Sequence, residues 1–334
     1  MNKPKISVII PVYNAGNRLK VSLNSLVSQT LREIEFICVL DCPTDGSGVV
    51  VKEYALHYPN FIVIENDHNL NIGESRNKGL EVAKGDYVAF CDHDDIVEPF
   101  MYERMYERAV FTNSDIVLGV PEYTYIDNSQ NKTYYYPSYD GDIKEKVLSL
   151  IIGNDHDDKK WGFYFSHGVI WANLYRRSFL YENEIKFVDN NRITFEDNIF
   201  SIETLYNAKN VVVYNELVYH HVIDGNNTAS SPNYVKLPLI IGYIHYLYDY
   251  LICKELLSRT KKRFSNTVIM YITGAVVTII KTNRWFFWRS IATICQIRQD
   301  DIIKESFKGG SMIPRSNRFA QDIALRFINI IMKL

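Results

Sequence analysis

Four consecutive polar residues, Asp92-His93-Asp94-Asp95, follow the apolar run 87–91 (YVAFC). In extended backbone, side chains two apart point to the same side, so Asp92 and Asp94 can face one ligand together. Clustered carboxylates repel, and a divalent cation is the usual reason to concentrate them. Oxygen-only donors suit Mg2+ or Mn2+, completed by substrate phosphates. The same letters also describe a solvated turn of capping aspartates ahead of Pro99, and spacing alone leaves both open. A second Asp-His-Asp-Asp at 155–158 is the internal comparison. It follows a helical stretch (147–152) rather than a buried strand and runs into Lys159-Lys160, so a solvated loop is expected there.

Other residues gather at comparable places. Asp41 ends the apolar run 34–40, where it can accept hydrogen bonds from a ligand, and Asp45-Gly46-Ser47 follows in a Pro/Gly turn. In the loop 69–79 (NLNIGESRNKG), Arg76 and Lys78 bring cations near the expected phosphates. Neither GxxxxGK[ST] nor GxGxxG occurs, so a P-loop and a dinucleotide fold are not indicated. Glu196-Asp197 opens a helical segment (FEDNIF), where acidic residues also serve the helix dipole. Trp171, within GVIWANLYRR, offers a stacking face for a sugar or fills a core position. The tyrosine run 134–139 reads as an edge strand and its turn.

The elements that must hold these residues alternate in type over the first hundred positions. Strands are predicted at 6–12, 34–40, 61–65 and 87–91, and helices at 19–27, 49–57 and 75–83. Such alternation implies a parallel sheet covered by helices on both faces. Ligands then bind outside the carboxyl ends of the strands. A helix from 194 and short strands at 211–214 and 217–221 close this region, and beyond 234 the pattern is mostly helical. The expected organisation is a domain 1–230 in two halves (1–100 and 101–230), followed by a helical region 231–334.

A length of 334 residues allows one large or two ordinary domains. With 37 basic against 39 acidic residues, the chain lacks the basic excess of a bulk nucleic-acid binder. Five cysteines without a CxxC pair indicate neither a disulfide framework nor a zinc site, and suit a reducing cytoplasm. The apolar run 6–12 is too short for a signal peptide, and 267–280 too short to span a bilayer. Tyrosine (24) outnumbers phenylalanine (17), which suits semi-polar surfaces such as a sugar or a membrane interface.

The ordered set ISVIIPVYN, LDCPTDGS, NxGxxxxRNxGL with AKGDYVAF, and DHDD resembles the family 2 inverting glycosyltransferases of GT-A fold. Through WANLYRRSFL and FEDNIF to VYHH, the likeness covers roughly residues 5–228. It implies an α/β fold with a mostly parallel sheet flanked by helices and a C-terminal helical extension. It also implies nucleotide contacts at Pro11, Tyr13, Asn14, Asp41, Arg76 and Asp92. Asp92 and Asp94 correspond to the metal site (Mn2+ or Mg2+), with Asp95 in support. Asp197 corresponds to the base, backed by Glu196. Two departures stand out: Leu40-Asp41 replaces the usual aspartate pair, and Tyr219-His220-His221-Val222 lacks an arginine expected near the phosphates. His220 or His221 are the candidates to replace it, and with Trp171 they form the expected acceptor side.

The implied reaction is transfer of a sugar from a nucleotide-diphosphate donor, a UDP-sugar by resemblance, with inversion at the anomeric carbon. The acceptor is a hydroxyl of a saccharide or lipid-linked saccharide in surface polysaccharide synthesis. Nucleotidyl transfer on a similar sheet and a catalytically silent binding protein are the other two readings. The segment 320–334 carries apolar residues at helical spacing beside Arg315, Arg318, Arg326 and Lys333, and Trp285-Phe286-Phe287-Trp288 sits between Arg284 and Arg289. Both patterns fit a membrane surface or helix packing. The expected location is the cytoplasm, peripheral on the inner face of the membrane.

Overall fold

A computed structural model describes residues 3–126, 130–155, 158, 161, 168–223, 237–282 and 297–310. The terminal amphipathic segment and the Trp285–Trp288 cluster lie outside the described residues. The chain divides into two compact units. One comprises Met1–Lys146, Gly168–Asn190 and Glu196–Asp224; the other comprises Val147–His167, Asn191–Phe195 and Gly225–Leu334.

The first unit begins with β1 (Ile6–Val12), α1 (Leu19–Val27), β2 (Ile34–Leu40), α2 (Ser47–His57), β3 (Phe61–Glu65), α3 (Asn71–Val82) and β4 (Tyr87–Phe90). Every residue of β1 and β2 is buried, so neither strand alternates in polarity, as expected where helices cover both faces. β1 pairs in parallel with β2 and β4, and β2 with β3. The carboxyl ends of these four strands therefore share one edge of the sheet. Helix α3 packs closely on β1, since a Cβ at Gly79 would overlap the side chain of Ile9.

Past β4 come β5 (Ile96–Val97), α4 (Met101–Thr112), β6 (Ile116–Tyr125), β7 (Lys132–Thr133), α5 (Ile143–Ile152), β8 (Asn173–Arg176), α6 (Arg177–Glu182), α7 (Glu196–Asn207) and β9 (Val211–Ile223). The described strands form one nine-stranded sheet of order β3-β2-β1-β4-β8-β6-β9-β5, with β7 on β6. Its first four strands are parallel, as the alternation predicts. The remainder is mixed: β8 runs antiparallel to β4 and β6, and β9 runs parallel to β6 but antiparallel to β5.

Three details differ from expectation. The segments 211–214 and 217–221 are one strand, whose pairing with β6 shifts register around the exposed Asn215-Glu216. That local bulge reads as a turn in the sequence. The edge strand lies at Lys132–Thr133, and the tyrosine run 134–139 follows it rather than forming it. The second Asp-His-Asp-Asp is not a solvated loop at its last residue: Asp158 is buried and pairs with Arg263 at 2.6 Å.

Within the second unit, Arg263 lies on α9 (Leu257–Thr282) and also donates to the Gly153 carbonyl at 2.7 Å. Helix α8 (Leu237–Cys253) carries His245, whose Nε2 lies 2.6 Å from Asp300 Oδ2. Asp300 also caps α10 (Asp301–Gly309) by accepting from Ile303 N. Phe195 holds φ = +60°, uncommon for a bulky residue, with its ring stacked on Tyr271 and edge-on to Tyr243. Among the described residues, no helix is long and apolar enough to cross a membrane.

Candidate active site

The carboxyl edge of the first unit's sheet collects most of the residues singled out above. Pro11 is buried at the end of β1, Tyr13 is half-exposed, and Asn14 takes φ = +45° while its Oδ1 accepts from Thr44 N at 2.7 Å. Asp41, just past β2, is buried; its Oδ1 accepts from Leu70 N (2.7 Å) and Asn66 Nδ2 (2.8 Å). It therefore ties the β2 end to the loop leading into α3.

The segment after β4 is held from several sides. Arg18 donates to the Asp94 carbonyl at 2.8 Å, and the His93 ring Nδ1 lies 3.0 Å from the Pro11 carbonyl. Asp92 Oδ1 accepts from Arg76 Nη2 at 3.0 Å. Asp95 is completely buried and accepts from the Tyr219 hydroxyl (2.8 Å), Val222 N (2.8 Å) and His221 Nδ1 (3.0 Å). The antiparallel β5–β9 pairing, Ile96 opposite His220, makes this possible by laying the end of β9 beside the aspartate turn.

Alternation along β9 separates the two histidines. His221 faces Asp95, as Tyr219 does. His220 faces the other way, between Glu98 (2.7 Å) and Glu122 (3.2 Å). Trp171 is 7% exposed and stacks on both Tyr219 (4.5 Å) and His221 (5.0 Å). Its ring is thus engaged by the protein.

The Glu196–Asp197 pair starts α7. Glu196 is buried and accepts on both oxygens, from Arg76 Nη1 (2.9 Å) and Asn190 Nδ2 (2.7 Å). Asp197 keeps part of its surface open yet is hemmed in by enough protein to lose solvation. That burial and the adjacent Glu196 charge raise its carboxyl to about 7, against the opposing pull of Arg76.

The aspartate cluster carries uncompensated negative charge. Burial, then Asp95 and Asp92, lift Asp94 to about 6. Burial works against charge on His221, but Asp95 outweighs it and lifts the imidazole to about 9. Donor atoms of Asp92, Asp95 and His221 lie within 4.8 Å of one another. Asp94 is not part of that group. Asp95, however, is satisfied by the protein on both oxygens, whereas Asp92 keeps one oxygen without a hydrogen-bond partner among the described residues. Hard oxygen donors with mutual repulsion fit a divalent cation, and the free oxygen of Asp92 is the donor in this group not already taken by the protein.

A family model described as glycosyl transferase family 2 matches residues 7–183, the stretch that carries β1 through the aspartate cluster. The chain belongs to that family. It is a glycosyltransferase of GT-A fold. It is 28% identical over 274 residues to the uncharacterized glycosyltransferase YibD of Escherichia coli K12, covering 80% of this chain and 74% of that protein. It is 33% identical over 234 residues to the cholesterol galactosyltransferase of Borreliella burgdorferi, covering 69% of this chain and 63% of that protein. Among solved structures, residues 1–349 of Staphylococcus aureus TarS in complex with UDP-GlcNAc superpose with a TM-score of 0.59 at 19% identity, covering 86% of this chain and 87% of that one.

Sequence reasoning missed Tyr219, Asn190, His93 and Arg18. Tyr219 had a visible signal, since Tyr219-x-His221 places both side chains on one face of a strand. Asn190 had none, because its partners Gly73 and Glu196 come from different elements.

Proposed function

We propose that this glycosyltransferase transfers a sugar from a nucleotide-diphosphate donor, a UDP-sugar, to an acceptor hydroxyl with inversion. One observation carries the reading: Asp92 and Glu196, the neighbour of Asp197, lie about a hundred residues apart and both bond to the single guanidinium of Arg76. That puts donor-side and acceptor-side carboxylates at one sheet edge, where this architecture binds ligands.

In this reading Asp197 takes the proton from the acceptor hydroxyl. The oxygen attacks the anomeric carbon from the side opposite the diphosphate, the bond to the diphosphate breaks, and the configuration inverts. Glu196 is buried with its oxygens turned to Arg76 and Asn190, whereas Asp197 keeps one oxygen without such a partner among the described residues. A carboxyl raised to about 7 is matched to a base working near neutral pH. A divalent cation, Mn2+ or Mg2+, held by Asp92 and Asp94 would neutralise charge on the departing diphosphate. Pro11, Tyr13, Asn14 and Asp41 surround the nucleotide, and Asp95 supports the aspartate turn. His221, on the Asp95 side of β9, stands in for the arginine absent near Val222. His220 is turned away from that position. Trp171 fixes the His221 ring by stacking on it.

The acceptor is a saccharide or lipid-linked saccharide of a cell-surface glycan. A relative whose name specifies a sterol supports an acceptor that carries a lipid. No acidic residue occurs between Glu255 and Asp300, a stretch that carries Arg259, Lys261, Lys281, Arg284 and Arg289, which supports peripheral attachment to an anionic membrane face. The test is incubation with UDP-glucose, UDP-galactose, UDP-GlcNAc and GDP-mannose, with Mn2+ or Mg2+. Release of a nucleoside diphosphate is expected; release of pyrophosphate from a nucleoside triphosphate and a sugar phosphate would instead assign nucleotidyl transfer.

A further inference from the structure

The resemblance places Arg76 against the nucleotide, yet its side chain is 4% exposed and its guanidinium is bonded to two carboxylates. We propose that Arg76 is a positioning residue that locks Asp92 and Glu196 at one separation, so that the donor and acceptor sides of the site act as a unit. The proposal deepens the glycosyl-transfer reading and rests on it.

The geometry supporting it is continuous. Nη2 of Arg76 reaches Asp92 Oδ1 at 3.0 Å and Nη1 reaches Glu196 Oε1 at 2.9 Å. Because the guanidinium is planar and rigid, two such bonds fix both the distance and the angle between their acceptors. The remaining Glu196 oxygen is held by Asn190 Nδ2 at 2.7 Å, and Asn190 Oδ1 accepts from Gly73 N at 2.8 Å. Gly73 is required there, since a Cβ would lie 2.6 Å from Asn190 Oδ1 and 2.9 Å from the Val188 carbonyl. The Arg76 guanidinium lies over the Phe187 ring, 5.2 Å from its centroid. Phe187 is itself clamped by Asn77, which donates to its carbonyl (2.9 Å) and accepts from its N–H (2.8 Å). One face of α3, carrying Gly73, Arg76 and Asn77, thus sets the start of α7 against the end of β4.

The brace also explains why the base is Asp197 and not its neighbour. With Glu196 fixed on both oxygens, Asp197 is the member of the pair left free to meet a substrate. Arg76 Nε has no partner among the described residues, so the two terminal nitrogens are what the position provides. A lysine has a single point charge and cannot hold both carboxylates in a fixed geometry.

The test is a double-mutant cycle with Arg76→Gln, Glu196→Gln and the pair, with Arg76→Lys beside them. Turnover is read as nucleoside diphosphate release at a saturating level of the donor the unaltered enzyme uses best, and UDP affinity by titration calorimetry. Each single change is expected to lower turnover on the order of 100-fold, Arg76→Lys included, and the double variant to stay within about threefold of the worse single. UDP affinity is expected to change less than about fivefold, because an unexposed guanidinium makes no nucleotide contact. Losses that multiply in the double variant, or UDP affinity that falls in step with turnover, would overturn the proposal. Should Arg76→Gln fail to fold, Arg76→Lys carries the same comparison. If the unaltered enzyme releases no nucleoside diphosphate from any donor, the transfer reading has failed, and the UDP titrations still judge Arg76: lost affinity overturns the brace, and retained affinity supports it.

Discussion

The Nδ1 of His221 lies 3.0 Å from the Oδ2 of Asp95, a carboxylate with no exposed surface. Tyr219 and the Val222 amide share that carboxylate, so the end of β9 is fastened to the aspartate turn by one buried side chain. Asp95 therefore acts on the site through shape. It holds the segment from which Asp92 and Asp94 project.

Replacing Asp95 tests this fastening. Asp95→Ala leaves a hydroxyl, an amide and an imidazole without their acceptor, and breaking a buried pair of this kind costs about 3–5 kcal/mol. Chemical denaturation is expected to show a loss of that order. A loss below about 1 kcal/mol, the ordinary scale of a surface pair, would mean the contact is incidental.

Gly79 tests the placement of α3. Alanine in a helix interior is intrinsically better than glycine by about 1 kcal/mol. Here the added methyl meets the side chain of Ile9 on β1, and overpacking of this kind costs about 1–3 kcal/mol. Gly79→Ala is thus expected to destabilise despite the helix propensity. A rise in melting temperature would show that α3 does not press on β1 as described.

The raised Asp197 carboxyl gives a pH dependence with a definite sign. Its folded value, about 7, lies above its ordinary 3.8, so the folded state holds the proton more tightly than the unfolded chain. This group then favours folding most at low pH and loses that contribution as pH rises from about 4 to about 7. Asp197→Asn, which mimics the protonated form, is expected to be more stable than the unaltered protein at pH 8, with the gap closing towards pH 4. Unfolding free energies measured at both pH values check this; an equal difference at the two would refute the raised value. Activity should move oppositely, with kcat/KM rising to a plateau above about pH 7.

Much of the first unit was legible because β1, β2 and β4 are buried throughout and β3 is a short apolar run. The runs 6–12, 34–40 and 61–65 match β1, β2 and β3, and the ends of β1, β2 and β4 were the expected place for Pro11, Asp41 and Asp92. The distant pairings were not legible. Asp158 looked solvated because its partner Arg263 lies about a hundred residues later, and letters carry no such link. His220 and His221 looked equivalent until strand direction assigned their faces. Trp171 offered a sugar platform and a core position equally, and its 7% exposure with rings stacked on it adds a third role, support for His221.

The assignment of Asp197 as the base is tested most directly by Asp197→Asn, read as donor turnover and UDP affinity on the same preparation. Turnover is predicted to fall on the order of 100- to 10,000-fold while the UDP Kd stays within about threefold. Turnover kept within about tenfold, or UDP binding lost in proportion to turnover, would contradict it.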